Sequence, residues 1–329
     1  MDIEYHYYIT YIIAHRAGYS RDEAYKIAYA SQYVDDNKFD YEIHGADEIF
    51  VNAVSQTEDI TKPKESLLRI YPLFHFLPGT LDEVVAHYKR YPRRDGKLHI
   101  FNTIPGNSNA KSLMETALHS SNLYRIGIAT HMLADTFSHQ NFVGIRDECN
   151  AMTGILVKLL PAIGHAKAKF QPDWPAHEWT DDRCIAECAP VVNKTRFLEA
   201  SECIFDQYCS HTALANAEDI KMTLKAQLSE MIGEKDINNK KSKDRLARYK
   251  TSIGEEFKEY KKDTWFDEAI KFERDPMTVG TSEVQTIYSW RDQDTFRGTD
   301  WYQFQEAVRT HQNEAERILQ PTFAMSDIA

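Results

Sequence analysis

The sequence predicts a mainly α-helical, multi-helix single domain over residues 1–329, broken by a short β excursion around residues 40–76. Three observations predict it. Tyr124, Ile128 and Phe142 recur at helical spacing through Y-R-I-G-I-A-T-H-M-L-A-D-T-F-S-H-Q-N-F. Four later windows, Thr195 to Cys209, Ala213 to Ile232, Ser242 to Lys262 and Trp301 to Leu319, are amphipathic at the same period. From Phe39 to Phe76 that period fades, and β-branched and aromatic residues gather between prolines.

In chain order, Ile3, His6, Tyr7, Thr10, Tyr11 and Ile13 to Ala14 mark a first helix, stopped by Gly18 and Tyr19. Ser20 caps a second helix through Val34, with Asp22 and Glu23 complementing its N-terminal dipole. I-F-V-N-A-V-S-Q-T and L-L-R-I-Y-P-L-F-H-F-L-P, punctuated by Pro63, Pro72 and Pro78, read as one or two short strands. Leu81 to Arg90 is a short helix, followed by the basic loop Y-P-R-R-D-G-K. Asn109 to His119 precedes the central helix, and Cys149 to Leu160 reads as a core helix ended by Pro161. The charged window Ser242 to Lys262 reads as a solvated outer face, and the chain should fray from Pro321.

Composition narrows the classes. A chain with 42% hydrophobic residues, 18 Tyr and 16 Phe can bury a core without disulfides. The formal charge of −11 disfavours long nucleic acid as a partner. Five cysteines, at 149, 184, 188, 203 and 209, form no C-x-x-C pair and read as reduced thiols, though Cys184 and Cys188 could meet on a helix. No eighteen-residue apolar run and no signal-peptide pattern occur, so no membrane span is expected and the chain reads as cytoplasmic.

The chemistry lies in polar residues on apolar faces. His131, Asp135 and His139 follow one another at four-residue steps, drifting about 80° around a helix, so they share the stripe of Tyr124, Ile128 and Phe142. Burying a carboxylate there costs several kcal/mol unless a partner or ion compensates. Imidazole and carboxylate are donors for zinc or another first-row metal, and a hydrogen-bonded polar seam is the other reading. His6 sits on the apolar face of the first helix, as either a core histidine or a ligand. Asp35 and Asp36 end the second helix, at the wrong pole of its dipole, and call for a cation. His75 stands in F-H-F-L-P-G, His165 follows a glycine after a helix break, and Asp173 lies between Pro172 and Trp174 as a ligand or a cap.

The order His6, Asp35 or Asp36, His75, His131, Asp135, His139, His165 resembles the zinc-dependent phospholipase C and P1 nuclease superfamily. M-D-I-E-Y-H-Y-Y, S-Q-Y-V-D-D-N and H-x-x-A-D-T-x-x-H-Q-N-F also look like an uncharacterised bacterial family beside it. This closer resemblance spans the N-terminus to about Arg183, a metal-site core of about 1–183, with a helical C-terminal extension of about 184–320. It implies one to three Zn2+ ions, or another divalent first-row metal. His131 and Asp135 match the His-x-x-x-Asp pair, His139 the following ligand, His165 the late histidine, His6 the early one and His75 the one between. Asp35 or Asp36 matches a metal-binding aspartate that is a candidate general base.

The departures are specific. The superfamily uses the free amine of a processed chain beginning with Trp, whereas this chain begins Met-Asp; Asp2 would replace that amine, or the third site is missing. Asp135 and His139 are four apart rather than six. Position 169, four beyond His165, is Lys instead of a carboxylate, and Asp173 is the substitute.

His-Asp, Glu-x-x-His, H-E-x-x-H, G-x-S-x-G and P-loop patterns are all absent. Two functions remain. One is a metal-dependent phosphoesterase acting on a small phosphodiester or phosphomonoester, with Asp35 or Asp36 as catalytic residue. The other is a non-catalytic metalloprotein with a structural or regulatory ion in a helical core.

Overall fold

The computed structural model describes residues 1–329 except 47, 60, 61, 63, 153–161, 256, 275–285 and 326–329. The chain is mainly α. It opens with a π-helical turn, Glu4–Ile9, that runs into α1 (Thr10–Arg16). α2 (Arg21–Asp36) starts at Ser20, whose side chain and that of Glu23 form a reciprocal capping box. After strands β1 (Glu42–His44) and β2 (Ile49–Val51) come the short helices α3 (Lys64–Leu68) and α4 (Tyr71–Phe74). α5 (Leu81–Arg90), α6 (Ser108–His119) and α7 (Leu123–Ser138) follow, then the strand pair β3 (Glu178–Thr180) and β4 (Pro190–Val192). The last third holds α8 (Asn193–Thr212), α9 (Ala217–Ile232), α10 (Ser242–Ile253), α11 (Thr264–Ala269), β5 (Ile270–Arg274), β6 (Thr286–Trp290) and α12 (Asp300–Ala324).

α7 is the axis. Every residue from Ile126 to Ser138 is buried, because α2, α4, α6, α8 and α12 all pack on it. A helix enclosed on all sides leaves no solvent face for its polar residues, so His131 and Asp135 must find partners inside. α2 approaches most closely. A Cβ on Gly127 would stand 2.5 Å from both the Ile27 carbonyl oxygen and the Ala30 Cβ, so only glycine permits this crossing. The main core joins both ends of the chain: Tyr5, Ile27 and Leu133 share it with Phe205, Leu228, Trp301 and Leu319.

Several sequence expectations are corrected. β1 and β2 form, but L-L-R-I-Y-P-L-F-H-F-L-P folds into α3 and α4. Pro72 occupies the first turn of α4, where its missing N–H is harmless, and β-branched content yields to packing on α7. β1 also pairs in parallel with β6, giving the sheet order β2-β1-β6-β5 that local pattern did not reveal. Near Cys149 a 3-10 turn, Glu148–Asn150, is seen, Ala151 and Met152 are not helical, and residues 153–160 of the expected core helix lie outside the described residues. Ala213 and Asn216 adopt positive φ, so α9 begins at Ala217, and Gly254 ends α10 at Ile253. Cys184 forms an isolated β-bridge with Arg93 and Cys188 lies in a turn, so neither is on a helix, and all five cysteines are free. Arg93 of the basic loop is buried, donating to Asp95 and the Cys149 carbonyl. α12 continues through Pro321 to Ala324. No helix among the described residues is long and apolar enough to cross a membrane.

Gly127→Val should therefore lower unfolding stability by about 1–3 kcal/mol or more, read as a fall in the urea midpoint. An unchanged midpoint would contradict the close α2–α7 crossing.

Candidate metal centre

The centre forms where α7 meets the ends of α2 and α4 and the turn around residue 165. His131, on α7, directs Nδ1 to the Ser31 carbonyl of α2 at 2.8 Å. His75, at the C-terminal end of α4, directs Nε2 to the Ser55 carbonyl at 3.0 Å. His139, one residue past α7, places Nδ1 2.8 Å from the His75 carbonyl, and His165 places Nδ1 2.8 Å from the Lys169 carbonyl. A carbonyl oxygen only accepts, so each of these four nitrogens carries a proton. In the neutral ring the opposite nitrogen is then a lone pair.

Those lone pairs converge on carboxylates. His131 Nε2 is 3.2 Å from Asp135 Oδ2, 3.7 Å from Asp35 Oδ1 and 3.0 Å from His75 Nδ1. His75 Nδ1 is itself 3.3 Å from Asp135 Oδ2. On the other side, His139 Nε2 lies 3.1 Å and His165 Nε2 3.6 Å from Asp173 oxygens. Lone pairs facing anions repel unless a cation stands between them. The arrangement is that of metal-ligating histidines, whose outer N–H groups are fixed by main-chain acceptors. Three groups bring one donor atom per residue within 4.8 Å of one another: His6, Asp35 and His131; His75, His131 and Asp135; His139, His165 and Asp173.

His6 adds an independent sign. It is fully buried and stacked on His131 with ring centroids 3.8 Å apart, and neither ring nitrogen has a hydrogen-bond partner. Its Nε2 is 3.2 Å from Asp135 Oδ1, but without hydrogen-bond alignment. An orphaned buried imidazole beside a carboxylate is what a ligand looks like without its ion. The same test rejects a further cluster, His99, Asp147 and Cys149. There His99 Nδ1 accepts from the Phe101 N–H, so Nε2 carries the proton and is already used toward Asp147 at 3.3 Å.

Of the paired aspartates, Asp35 faces the centre. Asp36 turns away and accepts from Tyr260 Oη at 2.7 Å, since consecutive helical residues point about 100° apart. The Met1 α-amino group lies against Asp135 Oδ1 and 3.4 Å from Asp173 Oδ1. Asp2, expected to substitute for that amine, instead accepts from the Glu4 N–H, and its carbonyl takes the Tyr5 and His6 amides. The centre floors a cleft of about 640 Å³ whose rim includes Lys38, Glu58, Tyr71 and Phe170.

Charge balance follows from the geometry. Burial opposes ionisation of Asp135, yet His139, the Met1 amine and His131 hold it well below the usual carboxylate range. Asp173 is likewise held low, against burial, by His165 and the amine. Desolvation raises Asp35 despite His131 and His75. Burial works against the charged Met1 amine, but Asp135 and Asp173 lift it to about 10. Burial lowers His6 far below its ordinary value and His139 to about 4. His75, in contrast to His6 and His139, moves up against its burial, because Asp135 and Asp35 favour its proton.

Residues lining the cleft that the sequence did not single out include Lys38, Tyr71 and Phe170. Ser31, four residues before Asp35, carried a usable signal, because it shares the face that Asp35 presents to α7. The chain belongs to the family of unknown function DUF6765, which matches residues 1–319. No protein of curated function and no solved structure matches it.

In metal-free protein, folded His139 stays neutral to about pH 4 while the unfolded chain protonates near 6.5. Stability should therefore fall as pH drops from 6.5 to 4, by roughly 3 kcal/mol from this residue. Urea titrations across that window should show the loss, with a shallower slope in His139→Gln. Equal slopes would contradict the neutral buried assignment.

Proposed function

We propose that this chain is a metal-dependent phosphoesterase of the phospholipase C and P1 nuclease type, hydrolysing a small phosphodiester or phosphomonoester. The observation that carries this reading is the set of four histidines with outer nitrogens committed to main-chain carbonyls and inner lone pairs aimed at carboxylates on the floor of an open cleft. Nitrogen and carboxylate donors suit zinc or another divalent first-row ion. His75, His131 and Asp135 would hold one ion, His139, His165 and Asp173 a second, and His6 with Asp35 would complete a further position. When bound, such ions supply Lewis-acid charge that acidifies water and neutralises phosphoryl oxygens.

The chain's own groups supply the rest. Asp35 is 28% exposed toward the cleft, and its raised pKa brings it nearer the range of a working general base. Asp135 stays ionised and ties the two sides of the centre through its two oxygens. Lys38, held by Glu58 at 2.8 Å, offers positive charge at the rim to a phosphoryl oxygen. The apolar walls of Phe76 and Phe170 exclude water from one side and accommodate the organic part of the ester. An enclosed centre would favour the non-catalytic reading; the opening of the cleft onto Asp35, His165 and Asp173 favours chemistry.

Elemental analysis should find at least about two zinc-type ions per chain, lost in His131→Ala and Asp135→Ala and retained in Asp36→Asn. Hydrolysis of p-nitrophenyl phosphate or bis(p-nitrophenyl) phosphate should disappear with EDTA and return with Zn2+. Asp35→Asn should lower kcat by about 100- to 10,000-fold. Metal-free protein with stable, unaffected variants would refute the centre, and bound metal without hydrolysis of either ester would refute the activity.

A further inference from the structure

The turn that carries His6 is held from the far end of the chain. Glu4 opens the π-helical segment and is 1% exposed, although it carries a carboxyl group. Its carboxylate accepts from Arg245 through Nε and Nη2, both at 2.8 Å, and from Ser242 Oγ at 2.9 Å. Arg245 lies on α10, in the window read from sequence as a solvated face, yet it too is 1% exposed. Its remaining arm, Nη1, donates to Asp236 Oδ2 at 2.9 Å. Asp236 also accepts the Lys240 and Lys241 amides and sends its own N–H to the Ala176 carbonyl at 2.8 Å. Ala176 is three residues beyond Asp173.

One buried guanidinium thus joins two segments that flank the centre: the turn bearing Met1 and His6, and the loop bearing Asp173. A bidentate, charge-assisted pair fixes direction as well as distance. Removing the cation would leave Glu4 and Asp236 buried and uncompensated, and the chain would have to move to rehydrate them. The element best placed to yield is the π-helical turn, a rare form found mostly as single turns and often at functional sites.

We propose that Arg245 is a positioning residue for the metal centre, acting through Glu4 on the His6 turn and through Asp236 on the Asp173 loop. Its effect on metal rests on the reading of the centre given above; its effect on the turn does not. The C-terminal third, beyond the stretch that carries the superfamily resemblance, then completes the site without contributing a ligand.

The test uses full-length parent, Arg245→Gln, Arg245→Lys and, as a destabilised control that takes no part in these hydrogen bonds, Leu228→Ala. Hydrogen–deuterium exchange of residues 4–9 and 173–177 and the affinity and visible spectrum of bound Co2+ are measured for each. Arg245→Gln should exchange faster in both segments, bind Co2+ about 10- to 100-fold more weakly and alter its spectrum. Arg245→Lys should recover part of each loss, and Leu228→Ala should lower Tm while leaving both readouts unchanged. The inference is overturned if Arg245→Gln matches the parent in exchange, shifts no further than Leu228→Ala, or is not improved upon by Arg245→Lys. A parent that takes up no Co2+ defeats the metal reading, and exchange alone then decides the role of Arg245. Should Arg245→Gln fail to fold, Glu4→Gln makes the same comparison with Asp236 still paired.

Discussion

The buried carboxylate of Asp135 is the constraint from which the rest follows. It sits on a helix enclosed on every side, at 1% exposure, where an uncompensated charge would cost several kcal/mol. Its two oxygens are met by the Met1 amine and His6 on one side and by His75 and His131 on the other. Met1 and His6 come from the N-terminal turn, His75 from the end of α4 and His131 from α7 itself, so satisfying this single group draws the N-terminal turn and the end of α4 to α7. His131 in turn fastens to Ser31 of α2, which gives one polar cluster an organising role over several helices.

Packing and chemistry reinforce each other here. Gly127 lets α2 approach α7 closely enough for the Ser31 carbonyl to reach His131 and for Asp35 to face the same centre. Gly164, with φ of +48°, lies against the Phe76 ring, which stacks on His139 at 4.7 Å. At both places a glycine brings a backbone close to an aromatic or helical surface, and a metal-type donor is set beside it. Stability and site geometry therefore share residues, and changes in one should be felt in the other.

Much of this was legible in the letters because it depends on short-range periodicity. The four-residue step from His131 to Asp135 put them on one stripe, Ser20 as a cap marked the start of α2, and both ends of α5 and α6 and the start of α7 lie within a residue of expectation, whereas α7 ends at Ser138 and leaves His139 and Phe142 beyond it. What failed depends on distance. The β1–β6 pairing links residues 43 and 288, and no local pattern announces it. Arg245 looked solvated because nothing around it in the sequence shows that Glu4 will be buried against it. The adjacent Asp35 and Asp36 were inseparable until the helix direction assigned one to the cleft and the other to Tyr260. The Met1 amine has no side-chain signature at all.

The most direct test of the centre is an anomalous-diffraction map of crystals grown with zinc. The account predicts peaks on the cleft floor, within about 2.0–2.2 Å of the inner nitrogens of His75 and His131 and of the corresponding nitrogens of His139 and His165, with the outer nitrogens still bonded to their carbonyls. A protein with no peak there, its inner nitrogens paired by hydrogen bonds to Asp135 and Asp173 alone, would contradict it.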